Sequence, residues 1–172
     1  MLADPIIEFM QNSGIALSVA DARAEDVPLI AVNAAFERLT GYSSADVVGH
    51  NCRFLQPEAG AGPVRDRMHH FIFDDDALED RFLVPNVRKD GTPFLNLLYM
   101  TKIRRDGTDA FIIGSQFDFS KHDRRGHNGY DESLRNDIRE LGSLAGEMGM
   151  VTLGTFRSLA NSAALIAQAK LT

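Results

Sequence analysis

The chain has 172 residues, 44% of them hydrophobic and 24% charged, enough for one globular domain and an extension. Its net charge of −6 argues against a nucleic-acid-binding surface, which needs clustered Lys and Arg, and no apolar run reaches the length of a membrane span. One cysteine, Cys52, makes neither an intramolecular disulfide nor a cysteine zinc site, and a free thiol suits a reducing cytoplasm.

Residues 4–12 place Ile6, Ile7, Phe9 and Met10 on one side of a short helix, with Pro5 in its first turn. The opening stretch carries Asp and Glu and lacks the basic region of a secretory signal. Residues 17–19 and 29–32 read as strands. Asn33 caps a helix bearing Phe36 and Leu39 that ends near Gly41; Ser43 or Ser44 caps another, carrying Val47 and Val48. Gly60 to Pro63 break the chain, after which Met68, Phe71 and Ile72 follow helical spacing. The run Asp74-Asp75-Asp76 reads as a solvated loop. Strands are expected over 79–88, 92–104 and 109–118, joined by Lys89-Asp90-Gly91 and Arg105-Asp106-Gly107 as hairpin turns. Two strands, a group of short helices and three strands in hairpins define an α+β class with a five-stranded antiparallel sheet.

Alternation along the strands assigns the faces. Phe94, Asn96, Leu98 and Met100 share one side with Ile112, Gly114 and Gln116, so Asn96 and Gln116 can reach one pocket, with Gly114 leaving room beside the backbone. The opposite side (Leu17, Val19, Leu95, Leu97, Tyr99, Phe111, Ile113, Phe117) is too apolar to face water. Terminal helices or a second copy of the chain must cover it. Residues 121–129 read as a linker. From Asp131 the spacing becomes helical through Leu134, Ile138, Leu141, Leu144 and Met148, and resumes through Val151, Leu153, Phe156, Leu159, Ala163 and Ile166. Gly146 and Gly149 lie between, giving two helices or one bent helix. The chain thus divides into a cap helix (1–14), a core (15–118) and a linker with helical extension (119–172). The extension has no nucleotide-binding glycine loop and no kinase-like histidine box. His122 and His127 lie in the polar linker, and His69 and His70 lack acidic partners at metal spacing, so no metal is expected.

The most informative segment is Gly49-His50-Asn51-Cys52-Arg53-Phe54-Leu55-Gln56. A lone cysteine is most often a small buried hydrophobe. Here it stands among two amides, which both donate and accept, and a guanidinium suited to phosphate. Asn86 and Asn96 follow ten residues apart, then Gln116. This set resembles the signature of the LOV photoreceptors, a flavin-binding branch of the PAS superfamily, whose usual pattern is GxNCRFLQ. The resemblance covers about residues 15–118. It implies a blue-light receptor in which the Cys52 sulfur joins carbon C4a of the flavin and nitrogen N5 gains a proton, reversibly in the dark and without turnover, so no enzyme is expected. It also implies that Asn86 and Asn96 read the pyrimidine edge, Asn51 and Gln56 hold the ribityl chain and Arg53 the phosphate. Met68, Ile72, Leu98 and Ile112 pack on the ring beside Gly114, and Gln116 acts as the switch by turning its amide.

Two departures stand out. His69 occupies the place of a second phosphate-binding arginine, so flavin mononucleotide (FMN) is expected with riboflavin as a competitor. Leu98 and Ile112 are aliphatic where the family is often aromatic. The rival readings are a PAS module that dimerises or holds another ligand without photochemistry, and a flavoenzyme. A homodimer through the outer sheet face and the helices beyond residue 130 is expected to respond to light. No residue pattern points to a downstream protein partner.

Overall fold

The computed structural model describes residues 4–120, Asn136, Arg139 and 150–153. Helix α1 (Asp4–Asn12) leads into strands β1 (Ala16–Asp21) and β2 (Leu29–Val32). Helices α2 (Ala34–Thr40) and α3 (Ser44–Val47), a 3₁₀ turn (Cys52–Leu55) and α4 (Val64–Phe73) follow. Strands β3 (Glu79–Val87), β4 (Pro93–Arg105) and β5 (Thr108–Asp118) close the core, each within a residue of its expected bounds. The sheet is antiparallel in the order β2-β1-β5-β4-β3.

Local chemistry sets the turns. Asn33 accepts from Phe36 N–H at 3.0 Å and so caps α2, which Gly41 ends at φ 79°. Of the two candidate caps for α3, Ser43 takes the role, in a reciprocal box with Asp46. Asp106 and Gly107 both adopt positive φ, the geometry that lets a two-residue turn follow the twist of β4 and β5.

The sheet separates two cores. On its outer side Ile6, Phe9 and Met10 of α1 pack against Leu17, Val19, Tyr99, Ile103, Phe111 and Ile113. Each buried side chain contributes roughly 1.5–3 kcal/mol. The cap helix therefore covers the β1–β5 part of the face that alternation marked as too apolar for water. Leu97 and Phe119 form a separate buried pair, with Leu83, Leu95 and Phe117 beside it, half-buried. On the inner side α2, α3, the 3₁₀ turn and α4 pack beneath the sheet around Phe36, Val47, Leu55 and Phe71. No helix among the described residues is long and apolar enough to cross a membrane.

The helical reading of Val151 and Leu153 is overturned. Met150–Leu153 is a strand, β6, and it pairs antiparallel with Lys102–Arg105 of β4. The pairing of β3 with β4 stops at Glu79 opposite Thr101, so β4 outruns its neighbour and its last four residues present an edge that β6 takes up. Glycines at 149 and 154 bracket four residues, three of them apolar, a run too short for its spacing to separate strand from helix. The other residues expected in the extension's helices lie outside the described ones, apart from Asn136 and Arg139, which are helical.

Candidate functional site

A cavity of about 700 Å³, counting its mouth, lies between the inner sheet face and the short helices. It brings together every residue singled out in the sequence except His69, which lines the adjoining mouth.

Cys52 starts the 3₁₀ turn, where Asn51 accepts the Arg53 N–H at 3.0 Å and fixes the turn's entry. It is half-buried and packs against the core that holds Phe36, Val47 and Leu55. Burial pushes its thiol up to about 12. At neutral pH the sulfur therefore keeps its proton and is a poor nucleophile at rest.

The sheet wall is polar at selected points. Asn96 donates to Asn86 Oδ1 at 2.9 Å, and both amides are buried. Asn86 also donates to the Pro85 carbonyl at 2.9 Å, and Asn96 Oδ1 accepts from Phe117 N–H at 3.3 Å. Gln116 is 3% exposed; its amide nitrogen donates to Ser18 Oγ at 2.8 Å and to the Gly114 carbonyl at 3.3 Å. Its oxygen Oε1 is buried without a partner, a costly arrangement that a ligand's donor would relieve. A Cβ on Gly114 would stand 3.2 Å from Leu98 Cδ1 and 3.0 Å from Ser18 Oγ. Only glycine leaves this strip of backbone open. Met68, Ile72, Leu98 and Ile112 supply the apolar remainder.

The mouth is crowded with charge. Arg53 lies there, bound to the Asp26 carboxylate. Asn51 donates to the Asp26 carbonyl at 2.6 Å. Asp26 and Val27 both hold positive φ, 65° and 48°, and a β-branched residue in that region is strained. Val27 nonetheless lines the cavity, buried. Of the two arginines near His69, Arg65 lines the mouth, whereas Arg67 turns away to Asp80, 3.4 Å distant, and over the Phe82 ring. His69 packs tilted against Phe73, ring centres 4.7 Å apart.

Sequence reasoning missed Ser18, Asp26 and Val27. Ser18 had a signal: it lies between Leu17 and Val19, both assigned outward, so its hydroxyl had to face the cavity. Asp26 and Val27 had none, since neither residue type announces a left-handed backbone.

The PAS domain family matches residues 14–121, well over half of the chain, and the chain belongs to it. Within that family it is a light-oxygen-voltage (LOV) domain. The Rhodobacter sphaeroides LOV protein superposes with a TM-score of 0.79 at 26% identity, over 96% of this chain and 94% of that one. A blue-light photoreceptor of Listeria monocytogenes is 30% identical over 143 residues, 83% of this chain and 53% of the relative, so the chain spans about half that protein's length. The light-state dimer of the fungal blue-light photoreceptor Vivid superposes with a TM-score of 0.55 at 30% identity, over 62% of this chain and 79% of Vivid.

Proposed function

We propose that the chain is a blue-light photoreceptor that holds a flavin in this cavity and responds through Cys52. The observation that carries the reading is the placement of the one thiol on the wall of a cavity whose opposite wall presents Asn86, Asn96 and an unsatisfied Gln116 oxygen. A flat heterocycle with carbonyls and N–H groups on one edge matches those amides, and the Gly114 strip admits its plane. The bound flavin supplies light absorption and an excited ring that becomes electrophilic at C4a.

With a flavin bound, Cys52 would supply its sulfur to C4a and its proton to N5; the S–H bond and the ring's C4a=N5 double bond give way to S–C and N–H bonds, so no outside oxidant is needed. The raised thiol pKa keeps that proton available and the site silent in the dark. Asn86 and Asn96 would hold the ring edge, and Gln116 would offer its amide to the nitrogen that takes the proton. Met68, Ile72, Leu98 and Ile112 keep water from the sulfur, while Asn51 and Gln56 line the path of the side chain. The thiol is returned in the dark, so nothing is turned over.

Cofactor choice follows from the mouth. FMN is the expected form. Its phosphate would meet Arg53 already engaged by Asp26, and His69 in the place of a second arginine, so riboflavin competes. Absorption spectroscopy tests the core reading. The purified protein should carry flavin bands that bleach under blue light and return in darkness. A colourless protein supports a ligand-binding PAS module, and bands that change only with an added substrate support a flavoenzyme.

The same reading includes a homodimer. Leu95 and Phe117 are half-buried on the outer face beyond the reach of the α1 cluster, and the fungal neighbour is a dimer in its light state. Light scattering after size exclusion, dark and lit, on the full chain and on a truncation after Phe119, should show a dimer whose population changes with light. A full-length monomer in both states at tens of micromolar contradicts it.

A further inference from the structure

We propose that Ser18 is the positioning residue that lets the Gln116 amide turn end for end, and that it passes the turn to β1 and the N-terminal helix; the proposal rests on the photoreceptor reading above. Gln116 has two partners on its sheet side. The Gly114 carbonyl, at 3.3 Å from Nε2, can only accept. Alone it fixes the amide with nitrogen to the sheet and oxygen to the cavity. Ser18 Oγ, at 2.8 Å from the same nitrogen, can accept or donate by rotating its proton. With the hydroxyl present, the reversed amide has a donor for its oxygen, so both orientations are satisfied.

The cavity sees the difference. In the orientation of this structure Oε1 faces inward with no partner and can take a hydrogen bond from a protonated ring nitrogen. That suits the lit state. In the reversed orientation Nε2 faces inward and can donate to a bare nitrogen, which suits the dark state. Ser18 is what makes the dark orientation possible, because without its hydroxyl the turned oxygen would be buried against the Gly114 carbonyl. Gly114 provides the space: a Cβ there would lie 3.0 Å from Ser18 Oγ and 3.2 Å from Gln116 Nε2.

Ser18 also stands at the start of a continuous route outward. Its neighbour Leu17 donates its N–H to Asn33 Oδ1 at 2.9 Å. The Asn33 nitrogen donates to Met10 O at 2.9 Å and to Ile15 O at 2.7 Å. One buried amide thus ties β1, the end of α1 and the start of α2. Any displacement of Ser18 that accompanies the turn of the Gln116 amide would reach the cap helix through these Asn33 bonds.

The test compares wild type with Ser18→Ala and with Ser18→Thr, which keeps the hydroxyl. In Ser18→Ala the Gln116 amide should stay with its oxygen inward in both states. The dark flavin band should shift in the manner of Gln116→Leu. The light-minus-dark infrared signal of the Gln116 side-chain carbonyl should fall to baseline, and light-induced hydrogen exchange over residues 4–12 should be lost. Ser18→Thr should restore all three. Flavin-free protein gives a separate readout: nitrogen-resolved exchange of the Gln116 NH₂ should quicken roughly fivefold in Ser18→Ala, and unchanged protection overturns the proposal even if that variant holds no flavin. Reversible bleaching in Ser18→Ala with a full Gln116 light signal overturns it while leaving the photoreceptor reading intact. A wild type that never bleaches defeats both.

Discussion

The guanidinium of Arg53 is held across the mouth of the cavity by the carboxylate of Asp26, a residue at φ 65°. Both side chains are more than half exposed, so the pair itself is worth no more than about 1 kcal/mol. Its consequence lies in selectivity. An anion arriving beside Arg53 must displace Asp26 and then face it. Asp26→Asn removes both obstacles, and FMN should gain roughly fivefold over riboflavin in fluorescence titrations of the flavin-free protein. His69→Arg should add to that preference in the same assay. Equal tightening of riboflavin by either variant would show that these groups do not reach the phosphate.

Cys52 should be chemically quiet in the dark. With its thiol raised from 9.0 to about 12 by burial, its thiolate fraction at pH 7 is roughly a thousandth of an ordinary cysteine's, so alkylation should be slow throughout and still climb about tenfold per pH unit at pH 10, where a cysteine of ordinary acidity has levelled off. The linkage has a sign. Between 9.0 and 12 the unfolded chain has lost this proton and the folded chain keeps it, so the unfolded state binds fewer protons and stability falls as pH rises through that window. Below 9.0 the contribution is constant. Urea midpoints of wild type and Cys52→Ala should therefore converge or cross only on the alkaline side; a difference that changes between pH 6 and pH 8 would contradict the assigned burial.

Gly114→Ala tests the open strip of sheet. The added carbon would meet Ser18 Oγ at 3.0 Å and both Gln116 Nε2 and Leu98 Cδ1 at 3.2 Å, so these side chains must give by tenths of an ångström. Overpacking of this kind costs about 1–3 kcal/mol. Leu98 and Gln116 have room to yield only into the cavity, so flavin occupancy should fall more than thermal stability does. Full occupancy with a lowered Tm would mean that the ring does not lie over this strip.

The order of elements was legible because the hairpin turns, the caps at Asn33 and at Ser43 or Ser44 and the strand alternation are local signals that tertiary packing did not override. On the sheet side the cavity residues were legible because alternation puts Asn96, Gln116 and Gly114 on one face, whereas those of the Cys52 turn and the following helix came only with the family resemblance. What escaped depends on distant partners. Asp26 matters through Arg53, twenty-seven positions away; for Ser18 alternation gives the face, but its role depends on Gln116, ninety-eight positions away. Strand β6 escaped because its conformation is set by the edge of β4 that it meets and not by its own four residues.

Gln116→Leu removes donor and acceptor while keeping bulk. Bleaching should survive with a small spectral shift, and light-induced exchange over residues 130–170 should shrink. An undiminished response there would remove Gln116 from the signalling route.

The central claim is that Cys52 is the group that reacts. The direct measurement is the blue-light difference spectrum of wild type beside Cys52→Ala, each loaded with flavin, followed through dark recovery. Both should show the same dark bands, since a methyl replaces a thiol with little change of shape. Wild type should bleach and recover, and Cys52→Ala should keep its bands under the same light. Full reversible bleaching in Cys52→Ala would contradict the account.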